Sequence, residues 1–170
     1  MSESTAGAWV LDPAGSSVEF VGKAFWGLVP VRGTFSTVSG QGTVGEDETV
    51  SGQLVIDAAS LNTKNNKRDT HLRSADFFNV EKYPTVSVTV DSAVLDGSSL
   101  KCTGTLEVAG KSAPVSFTAT VQSAGPDAVV LQAVLPMARS TFGMTWQQPG
   151  MPGSVKDIAE GKVTARFVRP

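Results

Sequence analysis

The chain contains one histidine, His71, and it sits in the densest run of charge in the sequence, RDTHLRSADFF at residues 68–78. Imidazole, hydroxyl and carboxylate within a few residues are the raw material of nucleophilic hydrolysis, with Ser74 as nucleophile, His71 as base and Asp69 as its orienting partner. That chemistry also needs an oxyanion hole and a turn that presents the serine, and the sequence has no nucleophile-elbow motif. Helix capping and surface polarity account for the same residues. A zinc site fails on ligand count, because one histidine and one distant cysteine, Cys102, leave only carboxylates. Axial ligation of a haem inside a barrel is the other chemistry open to a lone imidazole. Cys102, in SLKCTGTLEV, reads as a small core or face residue. Neither GxGxxG nor a P-loop occurs.

These residues need an element to hold them, and the segment around 64–76 reads as a short helix. Asn66 is a plausible N-cap, with Asp69 three residues on as a capping-box variant and as charge for the first turn. Arg68, His71, Leu72 and Ala75 fall at i, i+3, i+4 and i+7 and share one face. Asp69 and Arg73, four apart, form a pair on the flank. So short a helix is marginal alone and must pack on something. The packing face then carries a guanidinium and an imidazole beside its leucine, and buried cations need partners. Arg68 has Asp57 or Asp76 within reach of such a role. His71 either donates to a backbone carbonyl, pinning the helix, or meets a ligand's polar end.

Elsewhere the pattern has period two. Leu54, Ile56 and Ala58 share one face, as do Val86, Val88 and Val90, then Val115, Phe117, Ala119 and Val121. Val129, Leu131, Ala133 and Leu135 continue it, and Val163, Ala165 and Phe167 close it near the C-terminus. Serine, threonine and glutamine fill many of the alternate positions, as in antiparallel strands with one sheltered and one wet face. Turn signals separate them at Asp96–Gly97, Ala109–Gly110–Lys111, Ala124–Gly125–Pro126–Asp127 and Glu160–Gly161–Lys162. About eight strands with short turns imply a sandwich or a closed up-and-down barrel, and closure removes exposed edges. The barrel is the expectation. QQPGMPGS, residues 147–154, reads as a loop before the last strand. One domain, 8–169, follows a flexible N-terminus at 1–7.

A chain of 170 residues suffices for one core or an enclosed cavity. A formal charge of -2 argues against a nucleic-acid binder. The opening MSESTAGAWVLDPAGSS lacks the basic and apolar regions of a signal peptide, and no run approaches the ~18 apolar residues of a membrane-spanning helix. A cytoplasmic setting is the expectation, with the proviso that a removed leader leaves no trace. The aromatics are more informative. Phe20, Phe25, Trp26 and Phe35 come early, Phe77 and Phe78 follow the helix, and Phe142 and Trp146 flank a glycine late. In a sandwich they are core; in a barrel they line an elongated pocket together with inward strand residues such as Leu54, Ile56 and Phe117. Glycines at 22, 33, 104 and 143 suit a bent wall with interior space.

SVEFVGKAFWGLVPVRGTF (17–35), SLNTKNNKRDTHLRSADFFNVEKYPTVSV (60–88), GTLEVAGKSAPVSF (104–117) and ARSTFGMTW (138–146) resemble, in order, the four recurring blocks of the YceI-like domain. The likeness covers about residues 8–169, and the second block is the most specific. It implies an all-β, extended lipocalin-like antiparallel barrel with one short helix. Its lumen would hold a long isoprenoid, such as a polyprenyl chain, a quinone or a quinone precursor, for carriage or storage. A homodimer follows by analogy, and no cofactor beyond the bound lipid is implied. Where family members commonly carry Lys-His after the first long strand, this chain has Lys23–Ala24. A tube for such a ligand needs polar groups at one mouth only, and Lys23, Arg68 and His71 are the candidates. The runner-up is an enzyme acting on such a lipid with His71 as general base. The third reading is a barrel filled by its own aromatics and acting as a scaffold.

Overall fold

The computed structural model describes residues 6–47 and 49–170. Of the tail expected to be flexible, residues 1–5 lie outside the described residues. Gly7 already opens the first strand, and the Ala6 carbonyl accepts from Arg169 Nη1 at 2.9 Å.

Among the described residues the strands are β1 (Gly7–Leu11), β2 (Ser17–Ala24), β3 (Val29–Phe35), β4 (Val38–Val44), β5 (Val50–Asp57) and β6 (Leu61–Asn62). Then follow β7 (Thr85–Asp96), β8 (Ser99–Val108), β9 (Lys111–Ala124), β10 (Ala128–Ala138) and β11 (Ile158–Val168). The one α-helix, α1 (Asn66–Arg73), lies between β6 and β7. The first six strands make three broken staves. β1 runs into β2 through a single 3-10 turn at Pro13–Gly15, β3 runs almost directly into β4, and β5 runs into β6 through a turn at Ala58–Ser60. With the five continuous strands that is eight staves in one antiparallel meander. It closes because β11 pairs with both halves of the first stave, Leu11 opposite Phe167 and Val21 opposite Glu160. The expected barrel is the observed one.

Closure follows from the period-two pattern. Val86, Val88, Ala119, Leu135 and Ala165 are buried inside, whereas Ser116, Thr118, Thr120 and Gln132 are exposed outside. The small residues let the wall coil. In β7 the register shifts between Val90 and Ser92, leaving Asp91 as an extra residue opposite β8. Gly104 pairs with Val90 there, and a Cβ on it would stand 1.8 Å from the Thr89 carbonyl oxygen. Cys102, on the same strand, is buried, and burial raises its thiol above the usual range.

The two ends of the barrel differ. The turns β4–β5, β7–β8 and β9–β10 gather at one end with Gly7 and Val168, where Arg169 stacks 4.1 Å from the Trp9 ring centroid. The other end carries the β2–β3 tip, α1, the β8–β9 turn and the long connection from β10 to β11. There the wall is incomplete. β6 pairs with β3 over only two residues, Thr34 with Asn62 and Phe35 with Leu61, while β7 meets β5 no further than Asp57 with Thr85. Helix α1 covers the gap and buries Leu72 in the core.

Its attachment departs from the periodicity reading in three places. The cap is Asn65, not Asn66: its Oδ1 accepts from Arg68 N at 3.0 Å. The cause lies upstream, where Asn62 Oδ1 accepts from Lys64 N and Lys64 takes a positive φ, so the chain is already extended at Asn65. Asp69, expected on the flank, is buried and accepts from both the backbone N–H (2.9 Å) and the hydroxyl of Thr63. Arg73 does not pair with Asp69; it donates to the carbonyls of Ala59 at 3.1 Å and Leu61 at 2.8 Å. Carbonyls left unpaired where a stave breaks are better partners than a carboxylate already engaged.

Two variants test these supports by urea unfolding. Gly104→Ala forces the bulge apart and should cost about 1–3 kcal/mol, read as a lower midpoint. Thr63→Val strips the buried Asp69 carboxylate of its hydroxyl donor and should cost a similar ~1–3 kcal/mol, whereas Thr63→Ser keeps the donor and most of the stability.

Candidate ligand-binding site

The barrel is hollow over the half nearest α1, with a cavity of about 550 Å³. Its wall is aliphatic: Ile56, Val86, Val88, Leu106, Val108 and Leu135, all buried. Phe20, Phe35 and Phe78 form a cluster on one side, with centroids 5.4, 5.7 and 6.1 Å apart. Phe20 lies across Gly33, its pairing partner on β3, so the glycine makes room for the ring. The cavity stops short of Leu54 and Phe117, which pack with Val90, Val115 and Phe167 against the core and fill the other half of the lumen. The filled-barrel expectation therefore holds for one half only.

Toward the open end the lining becomes aromatic and polar. His71, Phe77 and Trp146 meet edge to face, His71 lying 5.1 Å from Phe77 and 4.5 Å from Trp146 between centroids. Asp76 Oδ2 lies 2.9 Å from His71 Nε2, so the imidazole is tied to a carboxylate on the turn after its own helix, not to a backbone carbonyl. The triad expected of Ser74, His71 and Asp69 is not assembled. Asp69 is spent on Thr63, and the Ser74 hydroxyl donates to the His71 backbone carbonyl. Arg68 borders the cavity, yet Nε donates to Thr63 Oγ1 and Nη2 to the Thr63 carbonyl, both at 2.8 Å. Neither Asp57, which caps its own turn, nor Asp76 is its partner.

The fifteen candidate residues fall into distinct places. Phe20, Phe25, Phe35, Ile56, Leu72, Phe77, Phe78 and Trp146 line the cavity, with Lys23, Arg68 and His71 toward its opening. Leu54 and Phe117 lie beyond its floor. Phe142 is buried in the core by the 3-10 turn Arg139–Phe142 and does not reach the lumen. Trp26 is a correction of another kind: it points away from the lumen, 51% exposed, with Nε1 donating to the Pro152 carbonyl at 3.3 Å. The chain reverses at Phe25 and Trp26, both at positive φ, and the reversal swings the indole outward.

Two lining residues had no place in the sequence expectations. Arg139, at the end of β10, is buried and donates to the carbonyls of Lys156 (2.8 Å), Met144 (2.7 Å) and Val155 (3.0 Å). Burial lowers the pKa of its guanidinium, against a raising influence from Asp157. Its role is to bind the 139–156 connection into a rim, and it also lies over Phe77 at 5.9 Å. An arginine directly after the apolar run AVLPMA was the available signal. Gln148 is the second: its Oε1 is buried at the cavity without a hydrogen-bond partner. Among the described residues no group of three or more histidine, cysteine or acidic side chains is placed to hold a metal.

The sequence model of the YceI-like domain matches residues 9–167. Protein YceI of Escherichia coli O6:H1 (strain CFT073) is 37% identical over 97 residues, 56% of this chain and 51% of that protein. UPF0312 protein plu2095 of Photorhabdus laumondii is 36% identical over the same length, 56% of this chain and 50% of its own. The chain thus spans about half the length of the curated relatives it matches. Among solved structures, BcnA of Burkholderia cenocepacia superposes with a TM-score of 0.82 at 26% identity, over 92% of this chain and 98% of that one. A polyisoprenoid binding domain from Saccharophagus degradans gives 0.77 at 19% identity, over 95% and 98%. The YceI protein of Campylobacter jejuni gives 0.73 at 24%, over 84% and 87%. These last two share the fold. Matched from Trp9 to Phe167 and closed as the same barrel, the chain belongs to the YceI-like domain family.

Proposed function

We propose that this protein is a carrier for a long-chain isoprenoid or related amphipathic lipid, held with its tail in the lumen and its polar end at the α1 side. The observation that carries the reading is the cavity: about 550 Å³, walled by aliphatic and aromatic side chains, with polar groups gathered at one end. That volume falls in the roughly 300–1,000 Å³ range of small-molecule sites. Transferring an apolar tail gains about 0.8 kcal/mol per methylene, so a few isoprene units offset an association cost of ~4–15 kcal/mol. The polyisoprenoid-binding neighbour of the same fold supports the ligand class. Carriage rather than turnover fits a site whose nearby serine is turned to a backbone carbonyl and so is not presented to the imidazole as a nucleophile.

Gln148 Oε1 is the acceptor left for a ligand. It favours a polar end that donates a hydrogen bond, as the hydroxyl of a prenol or a hydroquinone does.

Trp146 borders the cavity, so quinone entry should quench its fluorescence, and a prenol should displace the quinone. Saturable uptake is expected; no uptake of either lipid overturns the carrier reading. Val88→Phe, which fills the cavity from its wall, should weaken uptake about tenfold or more while the far-ultraviolet circular dichroism is kept. Gln148→Met should lower the ratio of prenol to quinone affinity about fivefold, the worth of one neutral hydrogen bond.

A further inference from the structure

The open end of the barrel has a second apolar feature, on its outside. The β2–β3 tip, Phe25-Trp26-Gly27-Leu28-Val29, presents Leu28 at 82% exposure and Trp26 at 51%, with Phe25 and Val29 each at 41%. Phe25 and Val29 also line the cavity, so the tip stands at its mouth and is wetted on one side and continuous with the lumen on the other. The tip is a built feature. Trp26 N donates to the Ser154 carbonyl at 2.8 Å, Lys156 N donates to the Lys23 carbonyl at 2.9 Å, and the indole N–H bonds Pro152. Two consecutive aromatic residues are kept at positive φ, 49° and 56°, where glycine would sit without strain. Strain of this kind persists where the surrounding structure holds it, and here it holds an indole facing outward.

The surrounding charge is basic. Lys23, Lys67 and Lys156 border the same mouth, all exposed, and none takes part in an ion pair among the described residues. Lys156 Cε lies 3.5 Å from where a Cβ on Gly27 would be, placing its stem against the tip itself. Of the charged residues lining the mouth, these three lysines with Arg68 and Arg139 outnumber the two acids, Glu19 and Glu160, and Glu19 also lies against Arg32; Asp76 and Asp157 stand nearby, on His71 and Ser140. The chain as a whole carries a net charge of -2, so this concentration of lysine is local.

We propose that this face docks on an anionic phospholipid bilayer. Trp26, Phe25 and Leu28 enter the headgroup region, lysines meet lipid phosphates, and the lumen opens directly onto the membrane. An isoprenoid then passes between bilayer and barrel without crossing water. The role in lipid passage rests on the carrier reading above; the docking itself does not.

Flotation of the full chain with vesicles tests it. Binding should be strong to phosphatidylcholine–phosphatidylglycerol vesicles, weak to phosphatidylcholine alone, and reduced by added salt. Brominated lipid should quench the exposed Trp26. Leu28→Asp and Lys67→Glu should each lower binding about fivefold or more. Leu95→Asp, also an exposed leucine but at the far end of β7, at the opposite end of the barrel, should leave it unchanged. Absence of binding to anionic vesicles, or equal binding by wild type and Leu28→Asp, overturns the proposal. So does sedimentation showing a dimer that Leu28→Asp converts to monomer while no vesicles bind, since the tip would then meet a second copy. Quinone uptake in vesicle-free solution is measured in parallel. Vesicle binding that follows this pattern in a chain that takes up no quinone overturns the carrier reading and not the docking surface.

Discussion

The structure depends on one buried carboxylate. Asp69 sits inside the barrel's weak flank, where β6 ends after two residues and β7 has not yet met β5. An open barrel end lined by aliphatic side chains would expose both apolar surface and unpaired carbonyls. Helix α1 covers the former, and the Asp69–Thr63–Arg68 relay fixes the helix to the end of the broken stave. The Thr63 hydroxyl donates to the carboxylate and accepts from the guanidinium, so two charges are bridged by one hydroxyl with no proton unassigned. Arg73 then takes the carbonyls of Ala59 and Leu61 that the break releases. A buried ion costs more in desolvation than it returns unless hydrogen bonds complete it, and here they do.

That constraint decides what remains available at the mouth. Cations beside an apolar tube suggest a site for a phosphate. Arg68 has Nε and Nη2 on Thr63, Arg139 holds three carbonyls of the rim, and His71 is tied to Asp76. These groups build the opening. On the carrier reading, what is left for a ligand is the apolar shape of the lumen and Gln148, while Lys23, Lys67 and Lys156 stand exposed at the mouth.

Much of this was legible in the residues. Period-two stripes are enough for antiparallel strands with one sheltered face, and the removal of exposed edges favours the barrel over the sandwich. Helical spacing correctly brought Arg68, His71 and Leu72 to the inner side, but not Ala75: the helix expected around 64–76 spans Asn66–Arg73, and Ala75 lies exposed beyond its end. What periodicity missed were contacts between residues that no spacing relates. Asp69 reads as a flank residue on any helical wheel; it is buried because Thr63, six residues upstream in the loop between β6 and α1, reaches it. Arg139 has carbonyl partners, and carbonyls carry no sequence signature. Trp26 was read as lining the pocket because aromatics in a barrel usually do, and only the positive φ of two successive residues turns it out. Phe142 and Phe117 show the other limit. Alternation tells which side of the wall a ring faces, but not how deep the hollow runs.

Depth is set by where the bulky inward residues stand. On β5 and β7 the inward pairs are Ile56 with Val86 and Leu54 with Val88, and the cavity wall includes all of these except Leu54. One residue pair further on, Val90 lies beside the bulge and Gly104, where the two strands approach closely. Phe117 and Phe167 complete the plug. A barrel hollow along its whole length would lose this packing and have only its hydrogen-bond ladder to keep its section round. A barrel filled throughout would have nowhere to put a ligand. Filling one half makes a rigid base against which the other half, braced by a single helix, can stay open.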